Sequence, residues 1–253
     1  SISSKDIKNY AVSNASELLT GKAAGVFVAA SSGQPGSDAV IRVRGLGTVN
    51  DNNPLYVVDG QFMDNISSLN PSDIERMEVL KDASACAIYG SRGSNGVILI
   101  TTKGGVKGET TVTLDAYVGV KNSYKALNMM NSDQYYNFIM KAYENDASFQ
   151  NSMKDKFTNQ YQKGYNTNWW NEVTRTAFNQ NYNLSIRKGT DNSRSSLSLG
   201  YVDDQGAIIT TEFKRLSHKA NLEYDINKFI TFGANVNLAK IRQRDAGAIP
   251  SFD

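Results

Sequence analysis

Cys86 and His218 are each the only residue of their type in the 253-residue chain, so the usual chemistries of thiols and imidazoles have little to build on. One cysteine forms no internal disulfide, and one histidine falls short of the common zinc sets and of a Ser/His/Asp triad. Cys86 stands in the small-residue run Ala83, Ser84, Ala85 and Ala87, where a thiol packs as a small apolar group. His218, between Leu216 and Ala220, reads as a packing residue. Gly45-Leu46-Gly47 is the nearest approach to a phosphate-cradling loop, but position 50 is Asn and no helix opens there. Gly21-Lys22 lacks both the following Ser or Thr and the earlier glycine of a phosphate loop. The reading is a protein without catalytic, cofactor or metal residues, and not an enzyme. Lys plus Arg number 27 against 25 Asp plus Glu, a formal charge of +2 that gives no field to draw in nucleic acid.

Two groups of residues remain as candidates for contact chemistry. Arg42 and Arg44 share one strand face and are placed to pair with Asp59, Glu75 or Glu78; Lys81, Asp82 and Arg92 form a second polar set. The second group, Tyr165, Trp169 and Trp170, lies in an aromatic-rich stretch at 122–178. Two adjacent tryptophans cannot both hide on one helix face, which leaves an indole for sugar stacking or a membrane-interface belt.

The elements that must position these residues fall into two grammars. Residues 1–105 read as a small mixed sheet with short helices. Strands are expected at 26–30, 40–44, 55–58, 77–80 and 97–102. Asn14 with Glu17 makes a capping box, Asp82 caps a helix over 83–89, and Pro71 opens another. From 106 to 253 the pattern is long alternating strands. Val112, Leu114, Ala116, Val118 and Val120 oppose Thr111, Thr113, Asp115 and Tyr117, and the same period recurs near 179–188, 194–203, 214–225 and 229–240. Alternation alone fits a soluble sandwich, whose apolar face meets a second sheet, as well as a membrane barrel, whose apolar face meets lipid. Connections alternate short and long: 189–192 and 226–228 are turns, whereas 122–178 and 204–213 are longer, as on the two rims of an outer-membrane barrel. On that reading Leu199→Arg is costly and Ser198→Arg, facing a wet lumen, is cheap. In the long insert Ser132 is expected to cap a helix carrying Tyr135, Tyr136, Ile139 and Tyr143.

Several ordered blocks carry a resemblance. They are Ile41-Arg42-Val43-Arg44-Gly45, Asn53-Pro54-Leu55-Tyr56-Val57-Val58-Asp59-Gly60, Asn70-Pro71-Ser72-Asp73-Ile74-Glu75, Val79-Leu80-Lys81-Asp82-Ala83-Ser84-Ala85, Ile88-Tyr89-Gly90-Ser91-Arg92 and the run Asn95 to Lys103. Together they resemble the plug of SusC/RagA TonB-dependent outer-membrane transporters. The Trp169 region, Asp204-Gln205-Gly206 and Phe213-Lys214-Arg215 are similar to that family's early barrel. The resemblance implies an α+β plug domain at 1–105, followed at 106–253 by antiparallel strands of an incomplete outer-membrane β-barrel, with 122–178 as an extracellular insert. It also implies a TonB partner engaged through a segment not in this chain, a SusD-like surface lipoprotein as lid, outer-membrane lipid around the strands, and oligosaccharide or peptide as cargo. On this reading Arg42, Arg44, Asp59, Lys81, Asp82 and Arg92 dock plug to barrel, and Tyr165, Trp169 and Trp170 face cargo or lid. The alternative is a soluble β-rich carbohydrate-binding module with an α/β cap.

Overall fold

The computed structural model describes residues 2–7, 12–23, 25–43, 52–123, 128–145, 155, 158–159, 161 and 165–247. They form two compact units, one of 1–121, 177–206 and 210–253, the other of 122–176 with 207–209.

In the first unit, β1 (Ile2–Ser3), β4 (Leu55–Val58), β5 (Gln61–Met63), β6 (Ile74–Leu80) and β7 (Val97–Thr102) make a mixed sheet in the order β1-β6-β7-β4-β5. Only the β4/β7 pair is parallel. All four residues of β4 are buried, the continuous apolar run expected of a strand covered on both faces. On one face Tyr56, Val58, Met77, Ile98 and Ile100 pack with Leu18, Leu19, Ile41, Ile66 and Leu69; on the other, Leu55, Val57 and Val97 enclose Cys86. The Cys86 thiol donates to the Leu80 carbonyl at 3.4 Å. A separate antiparallel ribbon joins β2 (Phe27–Ala30) and β3 (Ala39–Arg42).

Short helices are tighter than the sequence patterns suggest. Asn14 caps a 3₁₀ turn at Ala15–Leu19, its side chain accepting from the Ser16 amide at 3.3 Å while its own amide donates to Asp38 Oδ1. Asn70 caps the turn Pro71–Asp73, where proline's missing N–H costs nothing. Asp82 precedes α2 (Ala83–Cys86) but makes no side-chain cap bond. The first strand of the chain, and α1 (Ser4–Ile7) after it, were not expected from the sequence pattern.

Beyond the mixed sheet, β8 (Thr111–Lys121), β9 (Ala177–Gly189), β10 (Ser193–Gln205), β11 (Glu212–Asn227) and β12 (Ile230–Arg244) form an antiparallel meander in chain order. These strands run longer than expected, so the β10–β11 connection shrinks to residues 206–211. The β9–β10 turn is closed by Thr190, whose amide donates to the Ser193 carbonyl at 2.7 Å. At the β11–β12 turn Asn227 Oδ1 accepts from the Phe229 and Ile230 amides. The period of two is kept throughout. Val112, Leu114, Leu184, Leu199 and Leu216 stand exposed on one face, whereas Asn183, Ser185, Ser198, Ser217 and Lys219 are buried on the other. A soluble sandwich would hide the apolar face under a second sheet, and among the described residues that face is bare.

The second unit contains α3 (Ser132–Asn145) and α4 (Trp169–Val173). The α3 cap is Asn131, one residue before the expected Ser132. Its Oδ1 accepts from the Gln134 amide at 2.7 Å and Gln134 Oε1 accepts from the Asn131 amide at 3.0 Å, a reciprocal capping box. Asn and Ser both serve at an N-cap, and here the Gln three residues on selects Asn131. No residue of α3 is buried; Tyr136 stacks on Tyr161 with ring centroids 4.1 Å apart.

Candidate functional site

The polar face of β8–β12 meets the mixed-sheet region through three buried clusters. In the first, Asp59 sits in the β4–β5 turn with φ of 47°, a left-handed conformation that aspartate tolerates better than most residues. This aims its carboxylate at the strands. Oδ1 accepts from the Thr102 amide at 2.8 Å; Oδ2 accepts from Thr102 Oγ1 at 2.6 Å, Lys219 Nζ at 2.7 Å and Asn235 Nδ2 at 3.4 Å. Lys219 Nζ also donates to Thr102 Oγ1. Burial pushes the Asp59 carboxyl up, but the bonds from Lys219 and Thr102 outweigh it and hold the pKa below the ordinary carboxylate value. The Asp59 and Lys219 side chains are only 14% and 7% exposed, so this ion pair has little water to fall back on.

The second cluster is centred on Asp73. Its Oδ1 accepts from Ser198 Oγ at 2.5 Å and from Asn183 Nδ2 at 3.0 Å, while Asn70 Nδ2 donates to Asn183 Oδ1 at 3.3 Å. Gly200 completes the approach, since a Cβ there would lie 2.5 Å from both Asn70 Nδ2 and Ser217 Oγ. Ser198 therefore faces protein and not a wet lumen. The expectation that Ser198→Arg is cheap fails, because an arginine has no room beside Asp73 and Asn183.

In the third, Asp204 of β10 accepts from Ser13 Oγ at 2.8 Å and from Lys121 Nζ of β8 at 2.5 Å. Next to it in register, Phe213 and Arg215 of β11 are fully buried. Arg215 donates to the Ser67 carbonyl at 2.7 Å and lies 5.8 Å over the Phe213 ring. Phe213 packs on Gly36, whose φ of +73° and whose hypothetical Cβ, 2.0 Å from the ring, leave space for glycine alone. Gly36→Ala is expected to cost about 1–3 kcal/mol by overpacking, measured as a lower urea midpoint for the full-length protein in micelles.

Of the charged residues singled out from the sequence, Asp59 lies in this seam, paired with Lys219 and not with Arg42. Arg42 instead donates to Asn53 Oδ1 at 3.3 Å on the exposed surface. Arg92 pairs with Asp64 at 3.7 Å and sits 5.3 Å over the Phe62 ring; Lys81 and Asp82 are exposed. Arg44 lies outside the described residues. Tyr165 and Trp169 are exposed in the second unit and Trp170 is half-buried. Sequence reasoning passed over Lys219, Arg215, Asp73 and Asp204. The signal for the two cations was their inward parity on a strand whose other parity is apolar. His218, on the outward parity, stands beside Leu199 and Leu238.

Comparison with known proteins fits this geometry. Residues 1–97 match the family model of the TonB-dependent Receptor Plug Domain. The chain is 38% identical over 249 residues to the TonB-dependent receptor SusC of Bacteroides thetaiotaomicron, covering 93% of this chain and 24% of that protein. It is 34% identical to TonB-dependent receptor P3 of Formosa agariphila, covering 93% and 22%. The chain thus spans about a quarter of the length of these relatives. Among solved structures, the RagAB peptide transporter superposes with a TM-score of 0.82 at 30% identity, covering 96% of this chain and 30% of that one. The ferric enterobactin receptor of Pseudomonas aeruginosa shares the fold at 14% identity, with a TM-score of 0.61.

Proposed function

Since the chain belongs to the SusC/RagA family of TonB-dependent receptors, we propose that it is the gating portion of a bacterial outer-membrane importer of oligosaccharides or peptides, and that its work is transport and not catalysis. Residues 1–105 act as the plug, 106–253 as the opening strands of the barrel, and 122–178 as an insert at the cell surface. TonB supplies the pull, and a SusD-like lipoprotein covers the outer mouth. The observation that carries this reading is the division of labour across β8–β12. One face buries Lys219, Ser198, Asp204 and Arg215 against the plug, and the other bares leucines and valines to the surroundings. Asp59 is the docking group that the first strands hold. The half-buried Arg42 and the exposed Lys81, Asp82 and Arg92, with Arg44, are docking groups for barrel wall outside β8–β12.

Strand direction supports one topology. If the plug leaves at the periplasmic rim, β8 runs outward, the insert lies outside, and the tight β9–β10 and β11–β12 turns lie in the periplasm, in line with short periplasmic turns and longer external loops. In the full-length protein, a unique cysteine at Asn145 is expected to react with an impermeant maleimide on intact cells. One at Lys228 is expected to react only after the outer membrane is breached. The reverse pattern overturns the topology and the transport reading built on it.

A further inference from the structure

The second unit holds a cavity of about 280 Å³ formed where the segments 128–131 and 166–169 meet. We propose that this cavity is a subsite for a neutral oligosaccharide, with Trp169 as its stacking platform and the surrounding carboxamides as its hydroxyl-binding groups. The inference deepens the importer reading by choosing the class of cargo, and it rests on that reading for its biological meaning.

The lining is unusual in composition. Asn128, Asn131, Asn166 and Asn168 contribute four carboxamides, Thr167 a hydroxyl and Trp169 an indole, with two methionines beside them and, among the described residues, no ionisable side chain. Each carboxamide offers a donor pair and an acceptor fixed in one plane, which suits vicinal hydroxyls. Trp169 is 64% exposed, although an indole of this size is ordinarily at least half hidden. A pyranose presents a C–H face that stacks on such a ring while its hydroxyls bond at the rim. A peptide end would bring an ammonium or carboxylate to a wall whose described residues offer no counter-charge, which costs desolvation with nothing in return. The volume sits at the small end for ligand sites, ~300–1,000 Å³, and so takes a terminal portion of a chain rather than a whole cargo molecule.

The site is also held in shape before anything binds. Ser132 Oγ donates to the Tyr165 carbonyl at 2.5 Å and ties the two segments together. Asn131 is fixed by its capping box with Gln134, and Asn168 Oδ1 accepts from the Asn171 amide at 3.3 Å to cap α4. Both cap oxygens are thus engaged, which leaves the Nδ2 donors of these two residues for a ligand. Neither Trp170 nor Tyr165 lines the cavity.

The test is calorimetric titration of the full-length protein in detergent with maltohexaose, cellohexaose, laminarihexaose, xylohexaose and mannohexaose, and with a tryptic casein digest. At least one hexaose is expected to bind and the digest is not. Trp169→Ala is expected to weaken that binding about tenfold or more, Trp169→Phe to retain most of it, and Trp170→Ala to leave it unchanged. Failure of every hexaose to bind, equal affinity of Trp169→Ala and wild type, or peptide binding that depends on Trp169 would each overturn the subsite. The cysteine labelling separates the two claims. External labelling of the insert with indifferent Trp169→Ala binding sinks the subsite alone, whereas sugar binding with reversed labelling sinks the importer reading alone.

Discussion

Lys219→Ala is expected to destabilise the seated plug by about 3–5 kcal/mol, the cost of stranding a buried carboxylate. Lys219 reaches Asp59 at 2.7 Å from the inward parity of β11, and both side chains are almost closed to water. With the ammonium gone, Asp59 retains two bonds from Thr102 and a long one from Asn235, which satisfy geometry but supply no opposite charge. Asp59→Asn is expected to do less harm at its own position but to leave Lys219 unpaired in turn. The pH dependence follows from the same site. The folded pKa of Asp59 lies below the ordinary value of 3.8, so its contribution is fully present above 3.8 and lost as pH falls through the folded value. Between pH 5 and 8 the Asp59 contribution is therefore insensitive to pH, and acid unfolding of wild type should be steeper below 3.8 than that of Asp59→Asn.

Leu199→Arg is expected to cost about 2–4 kcal/mol for folding into a bilayer, the penalty for arginine on the lipid face near mid-depth. Leu199 projects from the centre of β10, cross-strand from Leu184 and His218, on the face that carries the exposed apolar side chains. Ser198→Arg, one residue away, should leave insertion of the strands into lipid vesicles little changed but should unseat the plug, because it displaces the Ser198 bond to Asp73. The two substitutions thus separate by assay: the first lowers the folded fraction in vesicles, the second raises protease cleavage of the plug in protein that has folded. Equal behaviour in both assays would mean that the two faces do not differ as described.

The alternation of β8–β12 was legible because an exposed apolar face on one side and a face buried against the plug on the other impose a period of two along a long strand. The mixed sheet was legible for a different reason: β4 and β7 are compact apolar runs bounded by Gly, Asn and Pro, and both fall at 55–58 and 97–102 as the pattern predicts. Partners across the seam were not legible. Ser13 and Asp204 are 191 positions apart, Asp59 and Lys219 160, and Asp73 and Asn183 110, and no local pattern links residues that meet only after both regions fold. Arg42 illustrates the error this causes. Its strand face suggested a carboxylate, but Arg42 donates to Asn53, only 11 positions along. The extra arginine's worth of inward charge at 215 was hidden in the same way, behind the neighbouring Lys214 that faces outward to Asp203 and Glu212.

The opening strands grip the plug through buried charge, and the coupling between Asp59 and Lys219 tests that grip most directly. Urea unfolding of the full-length protein in micelles, for wild type, Asp59→Asn, Lys219→Met and the double variant, gives that coupling as the departure from additivity. The double variant is expected to be more stable than the sum of the single losses allows by about 2 kcal/mol or more. Additivity within about 0.5 kcal/mol would contradict it, since residues in contact across a closed seam cannot act as if they were independent.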